Sequence, residues 1–163
     1  MLPIFLTLKK HFLNYEFIVA GVKNVNESVY QSALDLDVKV LYNQTYDLLS
    51  HSTIAIVTSG TASLECALFN VPQIVCYKTS SVSYFIGKSF VNISFISLVN
   101  IILKKGIVKE LIQENLTEDR LLNELSNLLS GNRISDMLGE YSKIYSMLSL
   151  KGTSKKIANS IIK

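Results

Sequence analysis

Four short runs of apolar residues divide the first half of the chain: residues 17–20, 38–41, 54–57 and 74–77. Apart from Lys39 these runs are apolar throughout, instead of alternating between apolar and polar positions. Continuous apolar runs of this length are typical of parallel strands that are covered on both faces. We therefore predict buried, parallel β-strands at these positions.

Segments with helical spacing separate the apolar runs. The first begins after a candidate N-cap at Asn26, the second lies around residues 46–49, and the third covers residues 61–70 and ends before Val71 and Pro72. Alternation of strand and helix is typical of right-handed βαβ units. The pattern therefore predicts an α/β fold with a doubly wound parallel sheet.

The last third of the chain is helical in pattern. Thr117 is a candidate N-cap, and leucines between residues 121 and 129 form one apolar face that ends at Gly131. A second apolar stripe runs from residue 134 to residue 148, and a last short helix is predicted over residues 153–162. We expect these helices to pack against the α/β part.

The start of the chain departs from the usual order. Residues 2–12 have helical spacing, and no strand-like run precedes them. A doubly wound domain normally opens with a strand and a turn that faces phosphate. The sequence therefore predicts that the chain begins inside a domain and lacks its first strand.

Length and composition indicate one globular domain. The chain has 163 residues, 48% of them hydrophobic and 18% charged, with a mean hydropathy of +0.31. We divide the domain into an α/β core, residues 1–115, and C-terminal helices, residues 116–163. The net charge of +3 comes from 14 Lys and 2 Arg that do not cluster, so nucleic-acid binding is not expected. Cys66 and Cys76 lack the spacing of a zinc site and are predicted to be buried thiols in a reducing cytoplasm.

One segment has the composition of a membrane-surface helix. Residues 82–91 combine aromatic and aliphatic side chains with one lysine, and Lys104 and Lys105 follow. Apolar and basic residues of this kind favour a membrane surface, although a crossover helix packed on the sheet has the same pattern. The longest uncharged stretch, residues 89–103, is shorter than the roughly 20 residues that span a bilayer. We expect a cytoplasmic protein, soluble or peripheral.

The motif with the most candidate ligand-binding groups spans residues 57–65, where a predicted strand ends and a helix begins. Gly60 permits close approach to the backbone, and the free N–H groups at the positive end of the helix favour an anion. Thr58, Ser59 and Thr61 add hydroxyl groups. A phosphate or pyrophosphate is the natural occupant, and an ordinary capped turn is the alternative.

Other candidate chemistry is sparse. Glu65, in the first turn of that helix, either favours the helix dipole or accepts hydrogen bonds from ribose hydroxyls. The Gly-Lys-Ser sequence at residues 87–89 lacks the earlier glycine of a P-loop, and no G-x-G-x-x-G occurs. His11 and His51 are isolated, and no catalytic constellation is evident. The sequence predicts neither a metal nor a cofactor.

Five segments together resemble the lipid-A-disaccharide synthase family in order and spacing. They are YDLL at 46–49, VTSGTASLE at 57–65, VPQIVCYK at 71–78, ISLVN at 96–100 and ELIQ at 110–113. The resemblance covers essentially the whole chain. It implies the C-terminal, Rossmann-like domain of a two-domain GT-B glycosyltransferase, which transfers 2,3-diacylglucosamine from UDP to 2,3-diacylglucosamine 1-phosphate at the inner membrane without a metal.

The resemblance also implies where the donor nucleotide lies. UDP rests against the turn at residues 59–61, with a carboxylate near the ribose and further polar groups around the cleft. The residues implied are Ser59, Gly60, Thr61, Glu65, Tyr77, Lys78 and Asn100.

Two departures from the family pattern limit the expected activity. The acceptor-binding N-terminal domain, with its catalytic base, has no counterpart here, and neither has the first strand of the donor domain with its Gly-Ser-Arg turn. Val99 also stands where many members have Pro, a variation that we regard as tolerated. We therefore expect the chain to be inactive alone and to need an upstream N-terminal half. A UDP-N-acetylglucosamine 2-epimerase-like enzyme and a non-catalytic UDP-sugar-binding module are the alternatives.

Overall fold

The computed structural model describes residues 2–79, 94–131 and 133–148. Within them the fold is α/β, which confirms the predicted class. The strands are β1 (Ile18–Gly21), β2 (Lys39–Tyr42), β3 (Ala55–Thr58), β4 (Gln73–Tyr77) and β5 (Lys109–Ile112). The α-helices are α1 (Leu2–Thr7), α2 (Gln31–Leu34), α3 (Thr45–His51), α4 (Thr61–Leu68), α5 (Leu98–Leu103), α6 (Glu118–Leu129) and α7 (Ile134–Leu148). Short 3-10 helices cover Leu8–Lys10, Glu27–Tyr30 and Gln113–Asn115.

All strand pairs among the described residues are parallel. β1 pairs with β2, and β3, β4 and β5 form a second sheet in that order. The four predicted strands match β1 to β4 to within one residue at each end. β5 was not predicted as a strand, because Lys109 and Glu110 interrupt its apolar run. Within the described ranges β4 pairs on both sides, and β1, β2, β3 and β5 each pair on one side only.

The main core surrounds β4. Ile74, Val75 and Cys76 are buried, because α4, α5 and the C-terminal helices cover the sheet on which they lie. Leu121 of α6 and Tyr141 of α7 belong to the same buried cluster. Burial of β4 on both faces explains why its sequence is apolar at successive positions.

The first helix lies against both sheets. Leu6 packs with Ala33 and Val38 in a small cluster beside β1 and β2, while Leu8 belongs to the main core. Phe17, which precedes β1, contacts both clusters. The helix predicted over residues 2–12 is therefore confirmed as α1 followed by a 3-10 turn, and it joins the two sheets into one packed unit.

Local signals that the sequence predicts are confirmed at the helix ends. The Asn26 side chain accepts from the N–H of Ser28, and the Thr117 hydroxyl accepts from the N–H of Arg120. Gly131, with φ of +85°, follows α6 where the sequence predicts the end of that helix. The helix predicted over residues 153–162 and the candidate membrane-surface segment, residues 82–91, lie outside the described residues.

The two cysteines are free and buried, as predicted. Burial raises the pKa of each thiol to about 12, and the nearby Glu65 carboxylate adds to the effect at Cys66. Since the thiolate is the reactive form, both behave as small apolar core residues. In the part of the chain that the structure describes, no helix combines the length and apolar character needed to cross a bilayer.

Candidate functional site

The turn between β3 and α4 is open to solvent. Gly60 has φ of +142° and ψ of −158°, a backbone conformation that is essentially restricted to glycine. A Cβ placed on Gly60 would meet nothing within 4 Å. Gly60 and the following Thr61 are both exposed. The backbone of this turn is therefore accessible to a ligand.

The first turn of α4 carries N–H groups that its own backbone leaves unused. Ser63 closes the turn: its N–H lies 3.3 Å from the carbonyl oxygen of Gly60, and its hydroxyl donates to the same oxygen over 2.9 Å. No backbone carbonyl of the described segments accepts from the N–H of Thr61 or Ala62. These groups, together with the positive end of the helix, form a geometry suited to an anion.

Ser59 ties the turn to a neighbouring segment. Its half-buried hydroxyl donates to the carbonyl oxygen of Ile96 over 2.8 Å. Ile96 itself is fixed from the other side, because its N–H donates to the Glu110 carboxylate over 3.0 Å. The position of the turn is therefore linked to β5 through Ser59 and Ile96.

Glu110 anchors this arrangement. Besides the N–H of Ile96, its carboxylate accepts from the N–H and the hydroxyl of Ser97 and from the side-chain amide of Asn100, at 2.8–3.0 Å. Four donors on one carboxylate hold the start of α5 against β5. The sequence offered only one signal for this role, a lone acidic residue beside the apolar pair Leu111 and Ile112.

Asn100 is bound internally. It is 1% exposed, and its amide nitrogen donates to the carbonyl oxygen of Val108 as well as to Glu110. Its amide oxygen accepts from the N–H groups of Ile107 and Val108 at 2.8–2.9 Å. The side chain thus has no hydrogen-bonding group left for a ligand. The structure gives Asn100 a positioning role in place of the predicted direct contact around the cleft.

Two further predicted residues extend β4 toward the same edge. Cys76 pairs with Thr58, so Tyr77 and Lys78 continue past the point where β3 turns into the Gly60 loop. Tyr77 is half-buried and Lys78 is exposed. Lys78 places a positive charge at the carboxyl edge of the sheet, where an anion on the turn would lie.

The carboxyl ends of β4 and β5 are joined by a side chain that sequence reasoning missed. Gln113 is 5% exposed and has φ of +51°. Its amide oxygen accepts from the N–H of Thr79 over 2.8 Å, and its amide nitrogen donates back to the Thr79 carbonyl over 3.2 Å. This reciprocal pair fixes the chain directly after Lys78.

Glu65 is the fifth residue of α4, so it lies past the first turn of the helix, in which the sequence had placed it. It is half-buried, and within the described ranges its carboxylate forms no ion pair or hydrogen bond with another side chain. The structure therefore brings Ser59, Gly60 and Thr61 together with the ends of β3 and β4, and leaves the Glu65 carboxylate available. Among the residues described, no three His, Cys, Asp or Glu side chains group as a metal site.

A parallel α/β domain with an open glycine turn at the carboxyl edge of its sheet belongs to the Rossmann-like class. Comparison with known proteins identifies the family: the family model described as lipid-A-disaccharide synthetase matches residues 2–160, and the chain belongs to this family.

Curated relatives agree with this assignment. The chain is 29% identical over 161 residues to the lipid-A-disaccharide synthase of Vibrio vulnificus (strain YJ016), covering 96% of the chain and 42% of the relative. It is 33% identical over 155 residues to that of Psychromonas ingrahamii, covering 90% and 40%, and 34% identical over 112 residues to that of Nitrosococcus oceani, covering 69% and 29%. The chain thus spans less than half the length of these relatives.

Removing the Asn100 side chain tests its internal role. In Asn100→Ala the Glu110 carboxylate loses one donor, and the N–H groups of Ile107 and Val108 lose their acceptor. Each buried group left unsatisfied costs about 1–3 kcal/mol, so we expect the free energy of unfolding to fall by about 3 kcal/mol or more in urea denaturation.

The matched control is Asn123→Ala, which removes an exposed asparagine from α6. We expect it to change the free energy of unfolding by no more than about 0.5 kcal/mol. Equal stabilities for the two variants would contradict the role given to Asn100.

Proposed function

We propose that this chain is the donor-binding part of a glycosyltransferase of lipid A biosynthesis. The reaction moves 2,3-diacylglucosamine from UDP to 2,3-diacylglucosamine 1-phosphate and releases UDP. Two findings support the proposal: membership of the lipid-A-disaccharide synthetase family, and the open turn at Gly60. The open turn carries the argument, because it offers a phosphate backbone donors that no carbonyl of the described residues accepts.

The pyrophosphate of UDP is the group that we assign to the turn. The N–H groups of Thr61 and Ala62 donate to its oxygens, and the Thr61 hydroxyl and the Lys78 ammonium group lie on the same edge of the sheet. When the bond between sugar and phosphate breaks, negative charge builds up on the leaving phosphate. Donors already held in place stabilise that charge without reorganisation.

The remaining contacts concern the nucleoside. We assign the Glu65 carboxylate to the ribose hydroxyls, since it lacks a partner of its own in the described chain. We also assign Tyr77, half-buried at the end of β4, to the nucleoside. We assign Ser59 and Asn100 an indirect role. Ser59 holds the turn by its hydrogen bond to the Ile96 carbonyl, and Asn100 holds Glu110, which in turn binds the N–H of Ile96.

The acceptor site and the catalytic base belong, in this proposal, to the part of the relatives' length that the chain does not span. Proton removal from the acceptor hydroxyl requires a base within hydrogen-bonding distance. We assign an additional parallel strand of that part to a side of β1 or β3 on which no described strand pairs. Peripheral attachment to the inner membrane is part of the same proposal, because both substrates carry acyl chains.

The site is tested by measuring UDP binding to Gly60→Val by calorimetry. Any side chain at Gly60 occupies the open space above the turn and strains a backbone that only glycine adopts freely. We expect the wild type to bind UDP and the variant to bind it at least about tenfold more weakly, a loss of about 1.4 kcal/mol.

Gly131→Val is the matched control, because Gly131 also has a positive φ and nothing within 4 Å of its Cβ position, but follows α6. It carries a comparable backbone strain and should retain UDP binding. Equal binding by the wild type and Gly60→Val would remove the turn from the site.

Activity gives a separate test. We expect the purified chain alone to form no disaccharide from the two substrates, because the proposal assigns the base to the part of the relatives' length that the chain does not span. We expect turnover when the rest of the family's length is supplied as a second polypeptide. The assay follows release of UDP. Disaccharide synthesis by the chain alone would contradict the assignment of the base.

A further inference from the structure

A glutamine lies in the core where an apolar residue would be expected. Gln73, the first residue of β4, is fully buried. Its amide nitrogen donates to the carbonyl oxygen of Ser63 over 2.8 Å and to the hydroxyl oxygen of Tyr141 over 3.0 Å. Its amide oxygen has no hydrogen-bond partner among the described residues. A buried polar atom without a partner is unfavourable, so packing alone does not explain this side chain.

The hydrogen bonds of Gln73 lead to the candidate site. Ser63, also fully buried, donates its hydroxyl to the carbonyl oxygen of Gly60 over 2.9 Å. A continuous chain of contacts therefore runs from Tyr141 on α7, through Gln73 and Ser63, to Gly60. We name these four residues the Gln73 relay.

The contact between Gln73 and Ser63 is not needed to satisfy the backbone. The Ser63 carbonyl lies inside α4 and has a helical partner in the N–H four residues later. The added bond instead fixes the first turn of α4 relative to β4 and α7. That turn carries the N–H groups of Thr61 and Ala62, whose direction depends on the orientation of the helix.

Tyr141 occupies a fixed position at the end of the Gln73 relay. It is 1% exposed and lies in the main core next to α4. Burial raises the pKa of its phenol above the ordinary value, so the group stays neutral. Its ring is held by packing, and its hydroxyl oxygen is therefore a rigid acceptor for the Gln73 amide.

We propose that Gln73 and Tyr141 are positioning residues that hold the first turn of α4 in the orientation that binds the anionic part of the nucleotide. The proposal rests on the proposed function for its ligand. It assigns the C-terminal helix α7 a part in nucleotide affinity, although its tyrosine reaches the turn only through Gln73.

Two variants test the relay, and a third is the control. Gln73→Met keeps an unbranched side chain of similar length and removes both the donated bonds and the unpaired oxygen. Tyr141→Phe removes only the hydroxyl. Ile144→Val, which trims a fully buried side chain on the same helix, is the control, because it loosens α7 packing and removes no hydrogen bond of the relay.

Each variant is measured for amide hydrogen exchange, UDP affinity and Tm. We expect Gln73→Met and Tyr141→Phe to speed exchange in the first turn of α4 and to weaken UDP binding by about tenfold and threefold respectively. Exchange in β5 should not change. Ile144→Val should lower Tm and leave UDP affinity as in the wild type.

The double variant separates a relay from independent packing effects. If Tyr141 acts through Gln73, the Gln73→Met, Tyr141→Phe protein binds UDP no more weakly than Gln73→Met alone. Additive losses, wild-type affinity and exchange in Gln73→Met, or exchange that rises equally in α4 and β5, would each overturn the proposal. If Gln73→Met fails to fold, Tyr141→Phe is compared with Ile144→Val by the same measurements of amide exchange and UDP affinity, and that comparison decides whether the proposal stands.

The two proposals fail in different ways. A wild-type chain that does not bind UDP counts against the proposed function. In that case faster exchange confined to the first turn of α4 in both relay variants still supports the positioning role, and unchanged exchange there overturns it.

Discussion

Burial of β4 on both faces is the constraint on which the rest of the structure depends. Ile74, Val75 and Cys76 are excluded from water, so β3 and β5 must pair on either side and helices must cover both faces. Parallel pairing then places the ends of β3, β4 and β5 at one edge of the sheet. The Gly60 turn, Lys78 and Gln113 share that edge because of this register, and the candidate site follows from it.

Buried polar side chains turn this apolar core into a defined site. Asn100 and Gln113 fix the segments that follow β4 and precede β5, and Gln73 reaches from β4 into the first turn of α4. Each replaces an apolar side chain that would pack at lower cost in desolvation. What they add is geometry: directed hydrogen bonds permit fewer alternative arrangements than apolar contacts do. The molecule therefore combines a general hydrophobic core with specific polar links around one edge.

The sequence predicted the parts of this picture that depend on local patterns. Continuous apolar runs located β1 to β4, and the glycine between a strand and a helix located the open turn. β5 was not predicted, because Lys109 and Glu110 break its apolar run and because its pairing partner, β4, is distant in sequence. The internal hydrogen bonds of Asn100 were not predicted for a similar reason. Its partners Val108 and Glu110 become its neighbours only when α5 packs on β5. Gln73 gave no sequence signal, since an amide at the start of a strand looks ordinary until its burial is known.

The central claim is that the phosphates of a nucleotide bind the open end of α4, and the most direct measurement is a titration followed by backbone amide NMR. Uridine and UDP differ only in the diphosphate, so the pair isolates the anion. The account predicts that UDP shifts the amide resonances of Gly60, Thr61 and Ala62 and that uridine at the same concentration does not. Shifts that spare these three amides, or equal shifts with uridine, would contradict it.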